Sequence, residues 1–124
     1  MNGEYFTDLI AEKAITYMRD MSDQDEPFLL YVPFNAPHYP MHAPEKYMDR
    51  FAHLPWDRQV MAAMISVVDD SIGKIMNELE HLGIADNTLS VFTSDNGPSR
   101  ESRNWLDGNL DPYYGGTSGK LKGH

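Results

Sequence analysis

Two polar clusters in the sequence carry side chains that could do chemistry, one around His38 and the other at Asp95-Asn96. Asp95 and Asn96 place a carboxylate and an amide oxygen side by side, and hard oxygen ligands of this kind suit Ca²⁺ or Mg²⁺. His38 lies between two prolines, which restrict the backbone and favour a fixed direction for the imidazole. Simpler interpretations stay open for both clusters: an ordinary Asp-Asn-Gly turn, and a loop histidine bonded to a nearby carbonyl.

Other histidines do not complete a metal site by their spacing. His38 and His42 have the four-residue spacing of a helical zinc pair, but Pro40 between them prevents a shared helix. No third ligand or glutamate follows at the usual distance. We therefore reject a zinc motif here and predict that His53 and His81 are surface residues.

Asp69 and Asp70 resemble paired catalytic carboxylates only at first sight. Adjacent residues on a helix point about 100° apart, so the two side chains do not face one another. A solvated helix face is the simpler interpretation of this pair.

Hydrophobic periodicity predicts two amphipathic helices. The first covers residues 5–19, with an apolar face formed by Phe6, Leu9, Ile10, Ala14, Tyr17 and Met18. The second covers roughly 58–81 and ends before Gly83, which is placed to act as a C-terminal cap. Its predicted core positions are Met61, Met64, Ile65, Val68, Ile72, Ile75, Leu79 and Leu82.

Two short apolar runs predict strands that lead into the polar clusters. Phe28–Phe34 is almost continuously apolar, which indicates a strand buried on both faces that ends at Pro33. Leu89–Thr93 is the second strand. Between them, residues 35–57 form a proline-rich irregular loop, and beyond Ser94 no periodicity is evident.

Helices alternating with strands predict an α/β fold with a parallel sheet. Two strands are too few to form such a sheet. The sheet is therefore incomplete, the domain is very small, or a strand has been missed; we favour an incomplete sheet. Ligands in open α/β sheets bind beyond the carboxyl ends of the strands, where both polar clusters lie.

The composition excludes several classes of function. There are 10 Lys and Arg against 19 Asp and Glu, a formal net charge of −9, with no basic stripe to bind nucleic acid. The absence of cysteine excludes disulfides, thiolate metal sites and a thiol nucleophile. No apolar run is long enough to cross a bilayer, and the first residues do not resemble a signal peptide.

Two longer motifs, with a helix between them, resemble a known family. Residues 27–40 read PFLLYVPFNAPHYP and are followed by Ala43-Pro44 and Tyr47, and residues 92–98 read FTSDNGP. Together with the helix that contains VDDSIGK, they resemble the arylsulfatase-type sulfatases. The similarity extends through most of the chain from about Tyr5, in the family's order.

The resemblance implies an alkaline-phosphatase-like α/β/α sandwich with a mostly parallel sheet, and hydrolysis of sulfate esters. It implies that Asp95 and Asn96 bind a divalent cation, Ca²⁺ rather than Mg²⁺, and that His38 contacts the sulfate group. The implied substrate is a sulfated small molecule or glycan. Family members are commonly periplasmic, secreted or lysosomal, and the sequence leaves the compartment open.

Several family features are missing from these 124 residues. The family nucleophile is a formylglycine made within a Cys/Ser-x-Pro-x-Arg motif. Pro98-Ser99-Arg100 matches only the end of that motif and would put Asn96 at the nucleophile position. The acidic pair of the first strand is also absent. The lysine that should follow His124 is not replaced by Lys120 or Lys122.

We therefore expect residues 1–124 to form a partial sulfatase catalytic domain without the N-terminal nucleophile segment and the C-terminal region. Alone, they are expected to be inactive.

Two alternatives stay open. One is another hydrolase of the alkaline-phosphatase superfamily, acting on phosphodiesters or phosphonates. The other is a non-catalytic acidic binding module that uses the aromatic residues Tyr39, Tyr47, Phe51 and Trp56.

Overall fold

The computed structural model describes residues 4–24, 26–98 and 118–120. Within these residues it contains three α-helices and two short 3₁₀ turns. The helices are α1 (Phe6–Ser22), α2 (Glu45–Met48) and α3 (Trp56–His81), and the turns are Asp49–Phe51 and Ala85–Asn87. None of these helices is long and apolar enough to span a membrane.

The chain divides into two compact units. The first contains Met1–Ala36 and Val67–Ser90, and the second contains Pro37–Ser66 and the chain from Val91 onward. Helix α3 is continuous through the boundary, so its first eleven residues belong to the second unit.

Helix α1 confirms the first predicted helix and extends it to Ser22. Its most buried residues are Thr7, Ala11, Ala14 and Met18. They are spaced four, three and four residues apart, and most of them have small side chains. Phe6 and Tyr17, predicted for the core face, are 55% and 38% exposed. That part of the prediction is wrong, because small side chains at the centre of the face allow a neighbour to approach closely and move the large ones to its edge.

Helix α3 confirms the second predicted helix, including its cap. Gly83 has φ +70°, in the left-handed region where glycine has no steric penalty. The Gly83 amide donates to the Glu80 carbonyl at 3.0 Å, and the Ile84 amide donates to the Leu79 carbonyl at 3.1 Å. This pair of bonds is a Schellman motif, and it satisfies carbonyls that the helix end would otherwise leave open.

The buried face of α3 agrees with the predicted one only in part. Met61, Met64 and Leu79 are buried as predicted. Ile65, predicted for the core, is 50% exposed. The residues with at most 1% exposure are Val60, Ala63, Val67 and Ser71, again at spacings of three and four. The pattern of apolar residues thus predicts the helix correctly but not the centre of its buried face, which small and β-branched residues occupy.

Two ion pairs join α1 to α3 within the first unit. The Arg19 guanidinium donates to both carboxylate oxygens of Glu78, with distances of 2.7 and 3.0 Å. The Lys74 ammonium lies 3.0 Å from a carboxylate oxygen of Asp8. The bidentate geometry of the first pair constrains both distance and orientation, so it fixes how the two helices face each other.

The run from 28 to 36 is extended, and its side chains alternate between covered and exposed. The covered side faces α1, where Phe28 meets Tyr17 edge to face with ring centroids 5.9 Å apart. On the other side Leu29 is 92% and Tyr31 83% exposed. Burial on both faces is not observed for this segment, because nothing among the described residues covers its outer side, and it stays a prediction.

The second predicted strand is similarly open. Leu89, Val91 and Phe92 are 89%, 78% and 79% exposed. Neither this run nor residues 28–36 pairs in a β-ladder within the described parts of the chain. The parallel sheet therefore stays a prediction.

The loop predicted over 35–57 contains more structure than its prolines suggested. It includes α2 and the first 3₁₀ turn, and it is anchored by Met41 and Tyr47, each 2% exposed. The Gln59 side chain at the start of α3 donates to the Met48 carbonyl at 2.9 Å. These contacts hold in place the segment that carries His38.

Removing the buried hydroxyl of Ser71 should stabilise the protein. Its oxygen has no hydrogen-bond partner among the described residues, and a buried unsatisfied hydroxyl is unfavourable. We expect Ser71→Ala to raise the free energy of unfolding by about 1 kcal/mol in urea titrations. The matched control is Ser66→Ala on the same helix, where a half-buried serine should gain only the difference in helix propensity. A loss of stability in Ser71→Ala would contradict this prediction.

The Arg19–Glu78 pair should make stability depend on pH. The hydrogen bond and charge of Arg19 lower the pKa of Glu78. The stabilisation is therefore complete above the unfolded pKa of about 4.3 and is lost as pH falls through the lower folded value. We expect Glu78→Gln to lower the melting temperature near neutral pH and to lose this deficit in acid. Exposed Glu80→Gln is the control, and a deficit of Glu78→Gln that is constant with pH would refute the interpretation.

Candidate functional site

His38 lies just beyond the extended run of residues 28–36, as predicted, and is exposed. Its Nδ1 lies 2.7 Å from the carbonyl oxygen of Tyr39. The two rings also stack, with centroids 4.6 Å apart and planes tilted by 32°. Nδ1 is therefore bonded as the simpler interpretation, a loop histidine bonded to a nearby carbonyl, predicts. The other ring nitrogen, Nε2, can bind a second partner.

Asp95 and Asn96 follow the second extended run and form an exposed bend. The Ser94 hydroxyl donates to the Asn96 carbonyl at 2.7 Å, which closes the turn. The Asn96 side-chain amide nitrogen donates to the Gly97 carbonyl at 2.7 Å. The side-chain oxygen of Asn96 takes no part in this bond, and it is the atom of the amide group that could bind a cation.

This pair fits part of a calcium site. A carboxylate and an amide oxygen are the ligand types that Ca²⁺ prefers, but the ion takes about six to eight oxygens. Within residues 4–24, 26–98 and 118–120, no group of three or more His, Cys, Asp or Glu side chains is placed to hold a metal. Asp95 and Asn96 could therefore hold such an ion only with further ligands.

Both candidate clusters belong to the second compact unit. His38 reaches it from residues 28–36, and Asp95 and Asn96 reach it from Leu89–Thr93. The first run ends inside the first unit, directly before the second unit begins at Pro37, and the second run crosses from Ser90 into Val91 of the second unit.

The remaining predicted residues agree with their simpler interpretations where the structure describes them. His53 and His81 are exposed, as predicted. Residues 38–42 are not helical, which supports rejecting the zinc pair. Lys120 is exposed in a turn, and the positions Ser99, Arg100 and Lys122 lie outside the described residues.

Sequence reasoning missed the two residues that orient these groups. Tyr39 holds the His38 ring, and Ser94 closes the turn that carries Asn96. Tyr39 follows His38 and precedes a proline, which is the one signal that its carbonyl direction would be restricted. For Ser94 no signal in the sequence pointed to this bond.

Comparison with known proteins places the chain in a family. A family model described as "Sulfatase" matches residues 1–123, so the chain belongs to the sulfatase family. The class of protein is thus the one that the two motifs indicated.

Individual relatives give the extent of the similarity. The N-acetylgalactosamine-6-sulfatase of Rattus norvegicus is 31% identical over 117 residues, which are 94% of this chain and 21% of the relative. The ulvan-active sulfatase of Formosa agariphila is 31% identical over 112 residues, 77% of this chain and 22% of the relative. The chain therefore spans about a fifth of the length of these relatives.

A solved structure shows that the fold is also shared. It is described as Ps i-CgsB in complex with k-i-k-neocarrahexaose, is 36% identical, and superposes with a TM-score of 0.74. The match covers 77% of this chain and 23% of the solved one. About three-quarters of the chain thus shares its fold with a part of that solved protein.

Proposed function

We propose that these residues contribute to an active site that hydrolyses sulfate esters, with His38 contacting the sulfate group and Asp95 and Asn96 binding Ca²⁺. The observation that carries the proposal is that His38 and the Asp95-Asn96 pair each follow an extended run and belong to one compact unit of a chain that belongs to the sulfatase family. Ligands of α/β folds bind beyond the carboxyl ends of strands, which is the position these side chains would have if the two runs are strands.

The proposal includes the sheet. We infer that residues 28–34 and Leu89–Thr93 are strands of a mostly parallel sheet in an α/β/α sandwich. The strict alternation of covered and exposed side chains along residues 28–36 supports a strand. Its exposed apolar side supports a second layer, because strands of parallel sheets are normally covered on both faces.

The chemistry follows from the charge that must be stabilised. As the S–O bond breaks, negative charge on the sulfate oxygens has to be offset. A bound divalent cation supplies Lewis-acid stabilisation of that charge. The imidazole of His38 acts from a fixed position and donates a hydrogen bond from Nε2 to a sulfate oxygen.

The nucleophile does not come from the proposed residues. The resemblance implies a formylglycine, and these 124 residues contain neither cysteine nor a complete Cys/Ser-x-Pro-x-Arg motif. We therefore assign His38, Asp95 and Asn96 to binding and stabilising the sulfate group, and no covalent step to any of them.

We propose a sulfated glycan as the substrate. The name of one relative specifies a sulfated N-acetylgalactosamine and that of another specifies ulvan, and the solved structure holds a neocarrahexaose. These names support a glycan, and two further relatives are named arylsulfatases, which supports an aryl sulfate as a probe substrate.

The test is hydrolysis of p-nitrophenyl sulfate by the complete open reading frame that contains these codons. We expect turnover by that protein and none by residues 1–124 alone, which lack the nucleophile. His38→Ala and Asp95→Asn should each lower kcat/KM about 10²–10³-fold, the effect of removing one stabilising group from a transition state. His53→Ala and Asp86→Asn remove exposed groups of the same type outside the motifs and should leave kcat/KM unchanged.

Three results would overturn the proposal. One is turnover by the purified 124 residues. Another is full activity of His38→Ala and Asp95→Asn. The third is a preference for p-nitrophenyl phosphate over the sulfate ester, which would indicate another hydrolase of the superfamily.

A further inference from the structure

We propose that Tyr39 is a positioning residue for His38: its carbonyl sets the tautomer of the imidazole, and its ring sets the direction in which Nε2 points. The use of Nε2 on a sulfate group rests on the proposed function above. The tautomer and the role of the Tyr39 ring do not, because they follow from contacts between the two residues alone.

The tautomer follows from the 2.7 Å contact between His38 Nδ1 and the Tyr39 carbonyl oxygen. A carbonyl oxygen only accepts, so Nδ1 must carry the hydrogen. In the neutral ring Nε2 then has a lone pair and accepts hydrogen bonds. In the imidazolium form both nitrogens donate.

This assignment has a consequence for anion binding. Sulfate oxygens are acceptors, so Nε2 can contact them only when it also carries a hydrogen. The Nδ1 hydrogen cannot serve, since the Tyr39 carbonyl already accepts it. Binding of sulfate at Nε2 is therefore coupled to uptake of a proton by His38.

The direction of the ring follows from the stacking contact. The Tyr39 ring is half-buried and its centroid lies 4.6 Å from that of the exposed His38 ring. It covers one face of an imidazole that would otherwise rotate freely in solvent. Pro40 restricts the backbone of Tyr39 itself, so the carbonyl and the ring are held from the same fixed residue.

The tautomer can be read directly from long-range ¹H–¹⁵N correlations of the ¹⁵N-labelled chain at a pH where histidine is neutral. We expect His38 to show protonated Nδ1 and unprotonated Nε2. His53, which is exposed, serves as the internal reference for a histidine free to choose the common Nε2-protonated form. A His38 pattern equal to that of His53 would overturn the assignment.

Two variants test the Tyr39 ring. Tyr39→Phe keeps the aromatic ring that holds the imidazole against the Tyr39 carbonyl and should preserve the His38 pattern. Tyr39→Leu removes that ring, so the imidazole can turn away from the carbonyl and His38 should move towards the pattern of His53. Unchanged amide signals of Met41 and Tyr47 would show that the loop remains folded in Tyr39→Leu. A wild-type His38 pattern in folded Tyr39→Leu would refute a positioning role for the ring.

A titration with sodium sulfate separates this proposal from the proposed function. Coupling predicts that sulfate drives protonation of His38 Nε2 in the wild type and in Tyr39→Phe, with a response at least several-fold weaker in Tyr39→Leu. No response in any variant, with the Nδ1 tautomer observed, would contradict sulfate binding at His38 and leave the positioning role supported. An equal response in all three variants would overturn the positioning role.

Discussion

The first compact unit is built on the orientation of α1 against α3, which the bidentate contact between Arg19 and Glu78 helps to set. This contact joins α1 to α3 in an orientation that the Lys74–Asp8 pair reinforces. Helix α1 then supports the inner side of residues 28–36, where Tyr17 meets Phe28. The run that leads to His38 therefore starts from a fixed helix pair, and Leu89–Thr93 starts just beyond the capped end of the same α3.

The exposed apolar side chains indicate the surfaces at which further contacts are expected. Leu29, Tyr31 and Leu89 are each more than four-fifths exposed, and they belong to extended runs whose backbone edges are also open. Large apolar surfaces of this kind usually bind another element. Relatives about five times as long as this chain have additional sequence that can provide such a layer.

The sequence predicted the local structure better than its orientation. The spacing of apolar residues and the position of Gly83 were enough to predict α3 and its cap, because helix termination depends on local backbone geometry. The buried faces were predicted only in part: Met64 is buried but Ile65 is exposed, because apolar character does not reveal which positions need small side chains for close approach. The two strands could not be confirmed, since pairing depends on partners distant in sequence.

In the candidate site too, the residue types could be predicted from the sequence but their orientation could not. The types of His38, Asp95 and Asn96 and their positions after apolar runs were visible in the sequence. The hydrogen bonds that orient them were not, because they depend on backbone carbonyls of Tyr39 and Gly97 whose directions emerge only from the folded loops. A motif thus identifies the candidate groups, while the atom that each group presents requires coordinates.

The central claim is that His38 and the Asp95-Asn96 pair serve one site. The most direct test adds Mn²⁺, a paramagnetic substitute for Ca²⁺, to the ¹⁵N-histidine-labelled protein of the complete open reading frame, which can supply the further ligands, and measures the broadening of histidine ring signals. The claim predicts strong broadening at His38 and little at His81, with the effect lost in Asp95→Asn. Equal broadening at both histidines, or broadening at His38 that persists in Asp95→Asn, would contradict a shared site.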